Sequence, residues 1–198
     1  MNSYEQQIIA QLQKPGAGLP LPARILNFLY LKPFVIKRAD WDISFQNIQI
    51  AQEKIKIELM GLRDEALTKR VLIPPQIGLE DSSRYWSVAM TTRHLTIVGT
   101  HMQKAIIELS QGIDRTGVIG TAEVKPEEEK NRADSAKEFI LFADSVLEKI
   151  KSSVKNQNSK ATARHPWFGP LNCKDWMWVF AAHNFIHLKQ IRKIKQGL

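Results

Sequence analysis

The stretch Asn172-Cys-Lys-Asp-Trp-Met-Trp-Val-Phe-Ala-Ala-His-Asn-Phe-Ile-His-Leu-Lys-Gln-Ile-Arg-Lys-Ile194 reads as a helix with a defined start. Asn172 is a good N-cap. Asp175 stands three residues on, an imperfect capping box that also places a carboxylate at the positive helix end. Trp176, Phe180, His183, His187 and then Ile191 or Ile194 recur at spacings of three and four, which is one helix face. Two histidines therefore stand one turn apart in an apolar stripe. A buried imidazole must find partners for both nitrogens. Side chains at i and i+4 lie about 5–6 Å apart, and two imidazoles there can converge on one ion with metal–nitrogen bonds of about 2.0–2.1 Å. From this pair alone, two structural histidines and half of a metal site are equal readings.

A third histidine lies upstream in Ser82-Ser-Arg-Tyr-Trp-Ser-Val-Ala-Met-Thr-Thr-Arg-His-Leu-Thr-Ile-Val-Gly-Thr-His101. Trp86, Met90, His94, Ile97 and His101 share a face, and His94 replaces a core residue. Two antiparallel helices that pack these faces bring His94 opposite His183 and His187. Three neutral imidazoles with an open position make a catalytic type of metal site. His101 lies seven residues further, about 10 Å along the axis, and reads as a core or supporting histidine rather than a ligand.

These residues carry a resemblance. Trp86-Ser-Val-Ala-Met-Thr-Thr-Arg-His94-Leu, the loop His165-Pro-Trp-Phe-Gly-Pro-Leu171, and Trp176 through His183-x-x-x-His187 with Gln190 after it resemble the DinB/YfiT-like family of four-helix metal proteins. The resemblance covers roughly residues 40–195. It implies one histidine on the second bundle helix and a pair on the fourth, matching His94, His183 and His187. It implies a divalent metal, and either thiol-dependent transfer or isomerisation, hydrolysis, or no known activity.

The rest of the chain fits one all-α domain over 1–198, a four-helix bundle over 41–198 with a lead-in over 1–40 that packs on it. Apolar periodicity predicts helices near 44–62, 82–110, 134–154 and 173–195. Phe45, Ile48, Gln52, Ile55, Leu59 and Leu62 mark the first face, and Glu80-Asp-Ser-Ser supplies a cap for the second helix. Gln111 to Glu129 is a long crossover between the second and third helices, with a strand at Thr116 to Glu123 not favoured. In the lead-in, a short helix is expected at Tyr4 to Leu12, a loop over Lys14 to Pro22, and a helical turn ended before Pro33. Ser152 to Ala163 is polar and reads as a mobile loop. Bundle cores are where metal sites are built from facing helices.

The 198 residues carry a formal net charge of +8. The charge is spread, apart from Lys189, Arg192, Lys193 and Lys195, which favour a helix C-terminus. No nucleic-acid motif accompanies it, so nucleic acid is not expected as a partner. A single cysteine, Cys173, and no visible signal peptide point to a reducing, cytoplasmic setting. Leu19 to Ile36 is too interrupted by proline and charge to span a bilayer, and no membrane partner is expected.

The chemistry narrows by what is missing. H-N-F-I-H has Asn184 where the zinc-peptidase motif has glutamate. That helix offers no carboxylate base beyond Asp175, so a peptidase mechanism is disfavoured. A nucleophile activated on the metal remains, either water or a low-molecular-weight thiol cosubstrate. Three imidazoles accept zinc, nickel, copper, iron or manganese, so the ligand set does not identify the ion; zinc or nickel is the expectation. No catalytic side chain is assigned. Cys173, at a helix start where a thiol pKa can fall, reads foremost as an incidental small residue. His165 either lines the mouth of the site or fixes its loop. The expected partner is a small-molecule substrate, with a homodimer left open. The alternative is a non-catalytic metal-binding or interaction protein on the same bundle.

Overall fold

Backbone hydrogen bonding and burial place each element. The computed structural model describes residues 3–14, 16, 18, 27–117, 120 and 123–198. In chain order these form α1 (Ser3–Gln11), a π-helical segment Asn27–Val35, a 3-10 turn Ile36–Arg38, α2 (Trp41–Leu59), α3 (Asp64–Thr68) and β1 (Val71–Leu72). A 3-10 turn Asp81–Ser83, β2 (Tyr85–Trp86), α4 (Val88–Ser110) and a 3-10 turn Glu128–Lys130 follow. The chain ends with α5 (Asp134–Ser153), β3 (Ala163–His165), β4 (Gly169–Leu171) and α6 (Cys173–Gln196).

The four long helices α2, α4, α5 and α6 make an all-α four-helix bundle, α6 packing on both α2 and α4, and α5 on α4 and α2. Ile48, Ile55 and Leu59 of α2, Leu95, Ile106 and Leu109 of α4, Phe139, Val146 and Ile150 of α5, and Phe180, Ile191 and Ile194 of α6 fill its core. Gly99 lets α4 and α5 close: a Cβ there would stand 2.5 Å from Phe142 Cζ. Among the described residues, no helix is long and apolar enough to cross a membrane.

Several details differ from expectation, some through local caps and some through contacts distant in sequence. The first bundle helix starts at Trp41 because Asp40 caps it, accepting from the Ile43 N–H at 2.9 Å. The second starts at Val88, not near residue 82, because Tyr85–Trp86 pairs antiparallel with Val71–Leu72. Its cap is Ser87, whose Oγ accepts from Met90 N–H at 3.0 Å, rather than Glu80-Asp-Ser-Ser. Helical structure runs through Pro33 instead of ending before it; the wider π register relieves the clash between the ring and the preceding turn. The segment after α5 is tied down: Asn156 N–H donates to Ser110 O at 3.2 Å and Ser159 is buried.

Short α1 spans Ser3–Gln11 and buries none of its residues, whereas Ile36 enters the core completely. The loop expected at Lys14 to Pro22, the turn from Ala23, and the doubtful strand at Thr116 to Glu123 fall largely outside the described residues.

Candidate metal centre

Helix α6 starts with a complete capping box. Asn172 Oδ1 accepts from Asp175 N–H at 2.9 Å, and Asp175 Oδ2 accepts from Asn172 N–H at 3.0 Å. Asp175 is 1% exposed and also accepts from Lys37 Nζ. The start of α4 is fixed by Ser87 Oγ, which donates to Asn131 Oδ1 at 2.6 Å, while Asn131 Nδ2 donates to Thr68 O at 2.8 Å. With both starts anchored, α4 and α6 present His94, His183 and His187 to one another. One ring nitrogen from each lies within 4.8 Å of the others.

The outer nitrogens decide what faces inward. His94 Nδ1–H donates to the Val124 carbonyl at 2.8 Å, so a neutral His94 ring keeps a lone pair on Nε2. Gln190 Nε2 donates to Ser83 O at 2.8 Å, which turns Oε1 toward His187. His187 Nδ1–H donates to that oxygen at 2.6 Å, and again Nε2 is left as a lone pair. The Nε2 atoms of His94 and His183 stand 3.1 Å apart. Two nitrogens on one ion at bonds of about 2.0–2.1 Å, with angles between octahedral and tetrahedral, lie roughly 2.9–3.4 Å apart. His183 Nδ1 is buried with no hydrogen-bond partner among the described residues.

Burial keeps these rings neutral. It holds His94 down to about 4 and His187 down to about 3. His183 is driven well below the ordinary histidine value by burial and then by His187, His94 and His165. Neutral imidazoles with inward lone pairs are what a metal ligand set requires, so the residues fit a divalent cation. Trp86, 2% exposed, lies parallel to the His187 ring at 6.3 Å and edge-on to His94 at 5.2 Å, walling the cluster on one side.

The cluster opens on a cavity of about 700 Å³, in the range of small-molecule sites. Val98, Met102, Phe168, Trp176, Trp178 and Ile186 give it an apolar lining. The loop before α4 walls it through Ile77, Gly78 and Leu79, held by Gln76 Nε2 donating to Ile186 O at 2.7 Å.

The other singled-out residues take different places. His101 is neither core nor a support of the three histidines; it is exposed and lines the cavity. His165 lines the cavity, with Nδ1 accepting from Trp167 N–H at 3.1 Å. Cys173 is fully buried and donates to Gln157 O at 3.2 Å; burial raises its pKa, so the helix start does not activate it. Asn184 is turned away, its Nδ2 donating to Phe180 O at 3.0 Å. Sequence reasoning placed Glu80 in a helix cap and not in the site, where it is a cavity-lining carboxylate with Oε1 buried and without a partner among the described residues, and it gave no role to Gln190 as the group that orients His187. The spacing of three between His187 and Gln190 on one helix face was the available signal for the latter.

No family model matches the chain, and no curated protein matches it by sequence. Among solved structures it is similar to TT2238, described as a four-helix bundle protein, with a TM-score of 0.51 and 19% sequence identity over 77% of this chain and 98% of that one. The likeness is one of fold.

Proposed function

We propose that this protein is a metal-dependent enzyme of the DinB/YfiT-like family, in which His94, His183 and His187 hold one divalent cation, zinc or nickel. The observation that carries the reading is the convergence of three imidazoles, buried His94 and His187 and partly buried His183, the first two locked by Val124 and Gln190 with Nε2 lone pairs inward. When bound, such an ion supplies Lewis acidity and draws the pKa of a ligated water or thiol toward neutrality.

The chain's own residues do the rest. Val124 and Gln190 fix the tautomers of His94 and His187 before binding. Trp86 and the apolar lining exclude bulk water, which strengthens electrostatic interactions inside. With Asn184 turned away from the cluster, α6 supplies no base of the peptidase kind. Glu80, a cavity-lining carboxylate from the loop before α4, is the group we assign to accept a proton from the nucleophile. The favoured reactions are transfer to a low-molecular-weight thiol, or hydrolysis, of a small-molecule substrate.

The test combines metal analysis with a screen. Purified protein is loaded with zinc or nickel, then assayed with thiols against electrophiles and with simple esters and amides. Metal-dependent turnover that is lost in His187→Ala is expected. Stoichiometric metal with no turnover across the screen would favour the non-catalytic reading of the same bundle.

A further inference from the structure

Among the described residues, the cavity lining holds unpartnered buried polar atoms at Glu80 Oε1, Trp86 Nε1, Trp176 Nε1 and His183 Nδ1, with Trp86 packed on the histidine cluster. Trp176 lies seven residues before His183 on one face of α6, about 10 Å along the axis. At that distance from His183 the indole Nε1–H of Trp176 is a donor buried without a partner among the described residues. Its ring meets His165 at 5.3 Å between centroids. Because His165 Nδ1 accepts from Trp167 N–H, a neutral His165 carries its proton on Nε2, a second donor.

Cations gather around this end. Arg164 lines the cavity and has no anionic partner among the described residues. Lys32 lies against the β3–β4 hairpin, its Nζ 3.3 Å from where a Cβ of Gly169 would stand. Lys32 feels Lys37 and Arg164 as repulsive neighbours and Asp175 as an attractive one. Asp175 already accepts from Lys37 and from the Asn172 N–H. Apolar walls come from Val98, Met102, Phe168 and Trp178.

We propose that the cavity binds an elongated organic acid, with its carboxylate on Trp176 and His165 near Arg164, its apolar or aromatic body along the middle, and its opposite end at the histidine cluster. Only the last clause rests on the proposed metal function. A buried N–H without a partner is costly, and a carboxylate, acceptor-only and with two oxygens, relieves both donors. A cationic ligand would meet donors and like charge at this end.

The probe is 4-phenylbutyrate, about as long as the span from Trp176 to His183, compared with 4-phenylbutylamine and butylbenzene. Binding is measured by calorimetry on the metal-free and the zinc-loaded full chain. Expected is binding of the acid to both forms, at least tenfold tighter than either comparison compound. Trp176→Phe, which keeps the ring and removes the donor, should weaken the acid about tenfold. His165→Leu and the surface change Arg164→Glu should each weaken it, and none of the three should alter zinc stoichiometry. Arg164→Glu keeps the test decisive if a cavity variant fails to fold.

Equal affinity for amine or hydrocarbon would overturn the proposal, as would unchanged affinity in folded Trp176→Phe or Arg164→Glu. Binding that occurs only through added zinc overturns it too. Zinc uptake without acid binding sinks this proposal alone; acid binding without zinc uptake sinks the metal function alone.

Discussion

Gln190 Oε1 accepts from His187 Nδ1–H at 2.6 Å while its Nε2 donates to the Ser83 carbonyl at 2.8 Å. One side chain thereby ties the fourth bundle helix to the turn before α4 and sets the tautomer of a candidate ligand. Gln190→Met keeps the volume and removes both bonds. Metal affinity is expected to fall about 10–100-fold, read by competition with a metallochromic chelator. The far-ultraviolet circular dichroism spectrum should remain helical.

How much of this was legible beforehand follows from the range of the interactions. The long helices and their buried faces are local patterns, and Ile48, Ile55, Phe180 and Ile191 are buried as their spacing demands. The three histidines were legible for the same reason. The start of α4 was not, because it depends on Trp86 pairing with Val71 across a loop. Nor was the exposure of His101: a helical wheel puts it below His94, but the wheel cannot show where the opposing wall gives way to a cavity. Cys173 sits at a helix start as read, yet its burial against the backbone at Asn156 and Gln157 depends on a segment that sequence alone marks as polar.

The C-terminal cations separate by what they touch. Lys195 Nζ donates to Glu58 O at 2.9 Å and Glu58 Oε2 at 2.6 Å, and Arg192 Nε donates to Oε1 at 2.8 Å. Lys195 and then Arg192 hold the Glu58 carboxyl below the ordinary carboxylate value. Lys195→Glu should therefore destabilise the fold by about 1–2 kcal/mol in urea denaturation. Lys193→Glu should stay within about 0.5 kcal/mol. Neither change should alter metal content; loss of metal in the double variant would show that this end of α6 belongs to the site.

His165 gives a pH dependence. Burial holds its folded pKa down to about 4, against 6.5 ordinarily. Between those values the unfolded chain binds a proton that the folded chain refuses, so stability falls as pH drops from about 6.5 to about 4. The largest loss from this group is about 3 kcal/mol. His94, His183 and His187 act in the same direction, so the readout is a difference. Metal-free His165→Gln should lose less stability than wild type between pH 7 and pH 4.5 in parallel denaturant titrations. Parallel curves for the two proteins would show that His165 does not contribute.

Gly99 sets the approach of α4 to α5. A methyl there would meet Phe142 Cζ at 2.5 Å and Cε1 at 2.6 Å. Ala is the better helix former by about 1 kcal/mol, but overpacking costs about 1–3 kcal/mol. Gly99→Ala should be net destabilising, by about 1 kcal/mol, and Gly99→Val more so. Pairing Gly99→Ala with Phe142→Leu should recover part of the loss, which thermal denaturation of the double variant would register.

The histidine cluster makes the sharpest demand. His183 and His187 stand one turn apart on α6, and His94 faces them from α4 with its Nε2 3.1 Å from that of His183. Removing one of three ligands leaves an ion with two imidazoles and solvent. His187→Ala should abolish tight binding of zinc or nickel, and His94→Ala should weaken it strongly. His101→Ala should retain the metal, because that ring is exposed in the cavity lining. Stability supplies an independent readout. The three-histidine arrangement exists only in the folded chain, so wild type should gain thermal stability on adding zinc, in proportion to the logarithm of free zinc above the dissociation constant. His187→Ala should show no such gain. Metal content by plasma emission and melting temperature, measured on the same preparations, decide the matter: variants at positions 94 and 187 that hold as much metal as wild type would refute the three-histidine site.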